Sequence, residues 1–351
     1  MFLNPTLFST YTAVVGIDIA KNVNQVYMVT ADGEISNKAV KRNHFLSKFT
    51  NVGPYLIGME ACGGSQYWAR ELEKLGHTVH LMSPKAVKQF VTGLKNDKND
   101  AVGIYTALVN GVRRVPVKPA PKRDLDLLLT IRNKILKDRI AASNHVRGIL
   151  LEYGIVMSKS YSKFCKETSS AMAELEQDSS VSAAVIFQLR DTIEEISRLN
   201  ERVKKIEKDI EVLAIQDKNY EHFLTAPGIG KLTAAKMTIL LTDPKVFKNG
   251  RQFAAFLGLT PMSFGSGGHN MVTTISKYRC DAQVRSMMVQ CAHSASRSRV
   301  RSQWLDSILA RKPRAVAVIA IANRLARNLW AMASKDENWK LFVRDAEQKV
   351  I

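Results

Sequence analysis

Cysteine is scarce. The chain has four in 351 residues (Cys62, Cys165, Cys280, Cys291), none in a Cys-x-x-Cys pair. This excludes a zinc ribbon or a disulfide framework and fits a reducing cytosol. Long apolar runs are missing as well. The longest clean one, residues 315–322, has eight residues, where a membrane span needs about 20. The first residues carry no charged stretch followed by an apolar core and a small-residue cleavage site, so no secretory signal is expected. Acidic residues are the third shortage: 32 Asp and Glu face 51 Lys and Arg, a net charge of +19. That surplus favours a polyanionic partner, and without a membrane segment the partner is a nucleic acid. With 46% hydrophobic and 24% charged residues, the composition is globular and not disordered. The length fits roughly two or three domains, enough to bury a core without disulfides or structural metal.

The first 112 residues alternate strand and helix signals. Residues 13–18 (AVVGID) are an apolar run ending in an acid. Residues 25–30 and 34–40 flank Asp32-Gly33, a hairpin signal. Residues 55–59 (YLIGM) predict another buried strand, ending at Glu60. A helix is expected over 65–75 with Gly76 as its stop, a strand over 77–82, a helical stretch opened by Ser83-Pro84, and a helix from about 95 to 111. With a short helix at 44–50, the order is that of one mixed sheet carrying helices on its faces.

Residues 113–123 (RRVPVKPAPKR) read as a basic connector, and 124–153 resume a basic helical pattern. From about 182 to 214, Leu189, Ile193, Ile196, Asn200 and Val203 follow a 4-3-4-3 spacing. Ile206, Ile210 and Leu213 resume it after a slip, which makes an imperfect coiled-coil seam with an Asn at one core position. Beyond Gln216 two Gly-rich turns appear, PGIG at 227–230 and GSGG at 265–268. The final 83 residues hold 15 Lys and Arg against six Asp and Glu, so a compact, basic, mainly helical domain is expected.

Four acids could carry chemistry. Asp18 and Glu60 end two strands, and if those strands are parallel neighbours both carboxylates emerge at one sheet edge. Asp97 and Asp100 are spaced i,i+3 at a helix start and share a face. Carboxylates without His or Cys suit Mg2+ or Mn2+, and two such ions can polarise a phosphodiester. Any one of these acids could equally serve a strand end or a helix dipole. Sugar-kinase and actin-type ATPases also place an Asp after such a first strand. They then need a Gly/Thr-rich turn, and Ile19, Ala20, Lys21 and Asn22 do not supply it. The PGIG turn resembles a helix-hairpin-helix phosphate site and is equally an ordinary helix–helix turn. Ser266, between glycines, could attack a phosphodiester or be a plain loop serine. Trp304, Trp330 and Trp339 lie among the C-terminal arginines and could stack on bases or pack a core.

The segments GIDIAKN (16–22), GMEACGGSQYWARELEKLGH (58–77), KNDKNDA (95–101), TAPGIGKLTAA (225–235), FLGLTPMSFGSGG (256–268) and ISK…VR (275–285) together resemble the DEDD-type insertion-sequence transposases. That group includes the Piv DNA invertases and the bridge-RNA-guided recombinases. The resemblance implies an α/β fold: an RNase H-like, RuvC-type mixed-sheet domain over 1–112, a basic helical and coiled-coil linker over 113–216, and a mainly α C-terminal transposase domain over 217–351. It implies metal-binding carboxylates at Asp18, Glu60, Asp97 and Asp100 and a nucleophilic serine at Ser266. It also implies donor and target double-stranded DNA, a guide-type noncoding RNA, a homo-oligomer from dimer to tetramer, and a cytoplasmic, nucleoid-associated bacterial protein. One departure stands out: after Lys277-Tyr278 comes Arg279-Cys280-Asp281, where the family carries a glycine. The rival readings are a RuvC-like structure-specific endonuclease that only hydrolyses, and a non-catalytic nucleic-acid-binding protein whose acids are structural.

Overall fold

The computed structural model describes residues 5–93, 96–261, 263–266, 269–272, 275, 280–298 and 302–339; of 5–6, 263–266 and 269–272 it describes the backbone alone. The elements begin with α1 (Pro5–Phe8), β1 (Ala13–Asp18), β2 (Val23–Thr30), β3 (Ile35–Lys41), β4 (Tyr55–Glu60), α2 (Ser65–Lys74), β5 (Thr78–Met82), α3 (Pro84–Val87), α4 (Asp97–Val109) and β6 (Arg114–Val115). They continue with α5 (Ala120–Glu152), α6 (Tyr161–Gln177), α7 (Ala183–Ala214), α8 (Lys218–Leu224), α9 (Lys231–Leu240) and α10 (Gly250–Phe256). The last are β7 (Ser263–Ser266), β8 (His269–Val272), α11 (Ala282–Arg297), α12 (Gln303–Arg311) and α13 (Arg314–Lys335). They fall into two compact units, 1–119 with 242–248, and 120–241 with 249–351. None of the described helices is long and apolar enough to cross a membrane.

The first unit is built on a six-stranded mixed sheet in the order β3-β2-β1-β4-β5-β6. β1 runs antiparallel to β2 and parallel to β4, and β4 runs parallel to β5. The Asp32-Gly33 hairpin forms as the spacing predicts, with Gly33 at φ 84 and Val29 paired to Ile35. Gly76 ends α2 at φ 90, its N–H donating to Glu73 O. The short helix expected over 44–50 appears as two 3-10 turns, Arg42–His44 and Leu46–Phe49. The two-residue β6 has no counterpart in the sequence reading, because so short a strand shows no alternation.

The central strands are apolar on both faces, as strands covered on both sides must be. Val15, Ile17, Ile57 and Met59 point to one face, where Trp68 and Leu72 of α2 and the rings of Phe45 and Phe49 cover them. Val14, Tyr27, Val29 and Leu56 point to the other, under Ile104, Tyr105 and Leu108 of α4. Each such side chain, once fully buried, contributes about 1.5–3 kcal/mol. The segment 242–248 joins this unit from far along the chain. Asp243 pairs with Arg114 at 2.7 Å, and Arg113 lies 5.0 Å over the Phe247 ring.

In the second unit α7 packs antiparallel to α5. Arg132 meets Glu207 at 2.6 Å, and Arg139 Nη1 donates to Asn200 Oδ1 at 2.6 Å. The seam read from the sequence therefore has its partner within the same chain. Leu189, Ile196, Val203 and Ile210 are buried, and the Asn at a core position is there to accept from Arg139. The helix α6, which the sequence reading passed over, closes this bundle with Phe164, Met172 and Leu175 against Val146 and Leu150. Its apolar positions are interrupted by Ser, Thr and Lys, which blurs the helical period.

Gly16 decides how closely α4 can approach the sheet. A Cβ there would lie 2.4 Å from Ala101 O and 2.5 Å from Tyr105 N, both backbone atoms of α4. Gly63 has no neighbour within 4 Å of a built Cβ. Gly16→Ala is expected to destabilise the first unit by about 3 kcal/mol, the upper end of overpacking costs, and to lower Tm by roughly 10 °C or more. Gly63→Ala should leave Tm nearly unchanged. Thermal melts of both variants test this.

Candidate active site

Because β1 and β4 are parallel neighbours in register from Ala13↔Tyr55 to Ile17↔Met59, their last residues, Asp18 and Glu60, reach the same sheet edge. The condition set by the sequence reading is met. On the other side of Asp18, α4 begins. Its cap is Asn96, whose Oδ1 accepts from Asn99 N at 2.8 Å. This cap starts the helix at Asp97 and puts Asp97 and Asp100 in its first turn, where negative charge suits the helix dipole.

The close approach at Gly16 then brings this first turn onto Asp18. One carboxylate oxygen each from Asp18, Asp97 and Asp100 lies within 4.8 Å of the others. Asp18 and Asp100 are half-buried and Asp97 is exposed. Glu60 stands outside this three-carboxylate group, at the end of the adjacent strand. The fields of both strand-end acids converge on Cys62. Burial first, then Glu60 and Asp18, push its thiol above the ordinary range.

Two residues that the sequence reading missed brace the site. Gln25 is the register partner of Asp18 across β1 and β2. Its Nε2 donates to Asn37 Oδ1 at 2.6 Å, and Asn37 Nδ2 donates to Lys98 O at 3.3 Å. This chain ties the first turn of α4 to the β2–β3 hairpin. Both amides sit on strands with no motif around them, so only the register reveals them.

Like charges at about 4 Å repel by about 4 kcal/mol per pair at the effective dielectric of a protein surface. A cluster of three carboxylates is therefore unfavourable unless a cation is shared. An all-oxygen donor set of this size suits a hard divalent ion, so the residues present fit such a group.

The other sequence candidates divide. In the PGIG turn Gly228 has φ 75, and a Cβ would lie 2.3 Å from Cys291 O. Its glycine is thus required by close packing on α11, which supports the ordinary-turn reading of that residue. Ser266 ends β7 and pairs with His269 in the β7–β8 hairpin. Its side chain lies outside the described residues, as do residues 267–268 and 276–279. Trp304 is half-buried beneath Arg324, whose guanidinium carbon is 4.2 Å from the ring centre.

Known families resolve what this arrangement belongs to. A DEDD transposase model of the IS110 type, described as "Transposase", matches residues 15–155. A second, "Transposase IS116/IS110/IS902 family", matches residues 220–306. The chain is 34% identical to the "Probable family 20 transposase" of Pseudomonas aeruginosa PAO1 over 92% of its own length and 97% of that protein's. The chain belongs to the IS110-type DEDD transposase family. It is also 30% identical to the "Transposase for insertion sequence element IS1111A" of Coxiella burnetii, over 93% of this chain and 91% of that protein. Membership makes the chain a DNA transposase enzyme and the mixed sheet of the first unit an RNase H-like fold. The family goes with DNA substrates and with divalent metal use.

If the three-carboxylate group holds a metal, Mg2+ or Mn2+ should raise the Tm of the transposase. At a hundredfold excess over Kd the gain is about 2.7 kcal/mol. Asp18→Asn and Asp100→Asn should abolish the shift, yet melt no lower than the parent without metal, because each relieves repulsion. Asn37→Ala should weaken the shift while keeping every carboxylate. Metal titrations followed by differential scanning calorimetry separate these outcomes.

Proposed function

We propose that this transposase cuts and rejoins DNA at the ends of an insertion sequence through a covalent phosphoserine at Ser266. In this reading Asp18, Asp97 and Asp100, with Glu60 at the same edge, hold Mg2+ or Mn2+. The observation that carries the metal part of this reading is the convergence of the three aspartates within 4.8 Å; the serine rests on the family resemblance of the segment around Ser266. When bound, the metal supplies positive charge to a phosphodiester, making its phosphorus more open to attack and its leaving oxygen a better one. The chain's own part is to orient that phosphodiester and to supply the nucleophile.

Ser266 Oγ loses its proton and bonds to phosphorus. The P–O3′ bond breaks, and the released 3′ oxygen takes up a proton, leaving a 5′-phosphoserine and a free 3′-hydroxyl. In rejoining, a 3′-hydroxyl attacks the phosphoserine and the serine hydroxyl is regenerated. Strand exchange passes through a Holliday-junction-like intermediate.

The proposal keeps three functional segments: a RuvC-like domain over 1–112, a linker over 113–216 and a transposase domain over 217–351. It includes a guide-type noncoding RNA and a dimer to tetramer in which one subunit's acids work with another's serine. The net charge of +19 supports a polyanionic partner.

A second reading has its own support. Three of the acids meet within one chain, so metal-dependent cleavage without a covalent serine uses only residues the first unit already gathers. Ser266→Ala tells the two apart. Under the proposal, Ser266→Ala and Asp18→Asn each lower recombination of a donor–target plasmid pair by at least 1,000-fold. The parent then forms a protein–DNA adduct that survives denaturing electrophoresis, and Ser266→Ala forms none. Near-normal joining by Ser266→Ala removes the covalent step.

A further inference from the structure

A cavity lies at the sheet end that carries Asp18. It is bounded by the start of β2, the end of β3, the turn after it and the start of α2. Its volume is about 650 Å3. Asn22, Lys41, Arg42, Asn43, Tyr67 and Trp68 supply its chemistry. The register pair Val23↔Lys41 on its floor lies one and two strands from β1. At a strand spacing of about 4.8 Å, that is roughly 5–10 Å sideways. The carboxylates of α4 sit on one face of the sheet, and the cavity opens on the face covered by α2.

Each wall offers something a nucleotide can use. The Arg42 guanidinium carbon stands 4.8 Å over the centre of the Trp68 ring. At that distance the contact is of the cation–π kind, and a planar guanidinium is a group on which a base can stack. Tyr67 is 44% exposed and presents a ring at the rim. The side-chain amides of Asn22 and Asn43 are exposed and make no hydrogen bond among the described residues. Amides of that kind match the donor–acceptor edge of a base. Lys41 and Arg42 form no ion pair among the described residues, and no described carboxylate lines the cavity.

Trp68 is the fixed part of this wall. It is 3% exposed and packs on Phe45 with ring centres 4.7 Å apart, so the ring on which Arg42 rests is anchored in the core.

We propose that this cavity is a subsite for one unpaired nucleotide, its base stacked on Arg42 and Tyr67, its edge read by Asn22 and Asn43, and its phosphate met by Lys41. A base within a duplex has both faces stacked and its edge paired, so only an unpaired one can enter. The inference rests on the reading that the first unit works on nucleic acid, and it adds which form of nucleic acid this face holds.

The test is binding by the full-length chain in EDTA, which separates it from cleavage. Fluorescein-labelled oligo-dT, oligo-rU and a duplex of equal length are titrated at fixed salt and followed by anisotropy. Arg42→Ala and Tyr67→Ala should weaken binding of a single strand at least tenfold and change duplex binding less than twofold. Arg42→Lys, which keeps the charge and loses the planar stack, should fall with Arg42→Ala. Lys74→Ala, an exposed lysine of α2 paired with Glu71, is the charge control and should behave as the parent. Loss confined to dT or to rU identifies DNA or RNA as the source, and loss on both marks a site blind to the sugar. Parent-like single-strand binding by Arg42→Ala and Tyr67→Ala overturns the proposal. So does an equal drop on duplex and single strand, or Arg42→Lys binding like the parent. Asp18→Asn should keep oligonucleotide binding while losing recombination, so failure of the catalytic reading leaves a different signature from failure of this one.

Discussion

In the first unit a strand and a helix that the chain separates by some eighty residues come into backbone contact. β1 and α4 meet at Gly16, where the Ala101 carbonyl and the Tyr105 N–H occupy the space of a side chain. Packing interiors have no slack for a methyl group at such a contact. Everything that matters chemically follows from that distance. It places the first turn of α4, with Asp97 and Asp100, against the end of β1, with Asp18. Three like charges gathered by packing are tolerable because burial of Val14, Ile104, Tyr105 and Leu108 opposes their repulsion. The cluster is thus held by apolar contacts a turn or two away, and its mutual repulsion is what a shared cation would relieve.

The second unit solves a different problem. Two helices of more than thirty residues each expose more apolar surface than one seam covers. α5 and α7 satisfy the seam between themselves, antiparallel, with a guanidinium on an amide where a polar residue interrupts it. What remains, such as Phe187 and Val212, lies outside that seam. A polar pair at a core position sets register at some cost in stability, and the Arg139–Asn200 bond fits that role.

Much of the first unit was readable in the amino-acid order. Runs such as AVVGID and YLIGM have the length and apolar content of covered strands, and Asp32-Gly33 carries its turn in its own backbone preferences. The i,i+3 spacing of Asp97 and Asp100 shows a shared helix face without any tertiary information. Other features were not readable. β6 is too short to show alternation. The helix α6 hides its period behind Ser and Thr. The braces Gln25 and Asn37 are ordinary amides until the strand register joins them. The seam of α7 was visible, but its partner was not, since a heptad pattern is the same for a helix in another chain and for α5 in this one. The Gly228 turn had two readings until its packing on α11 supplied a steric reason for the glycine.

Local pattern alone therefore determined most of the strands and helices, which acids end them and what sign of charge a partner must carry. Each of these depends on residues within a few positions of one another. Tertiary structure decided which acids meet. Asp18, Asp97 and Asp100 come within reach of a single cation, and Glu60 stays one strand away, because strand order and the helix-to-sheet distance are set by packing. That packing is a sum over many distant side chains, and no short stretch of sequence contains it.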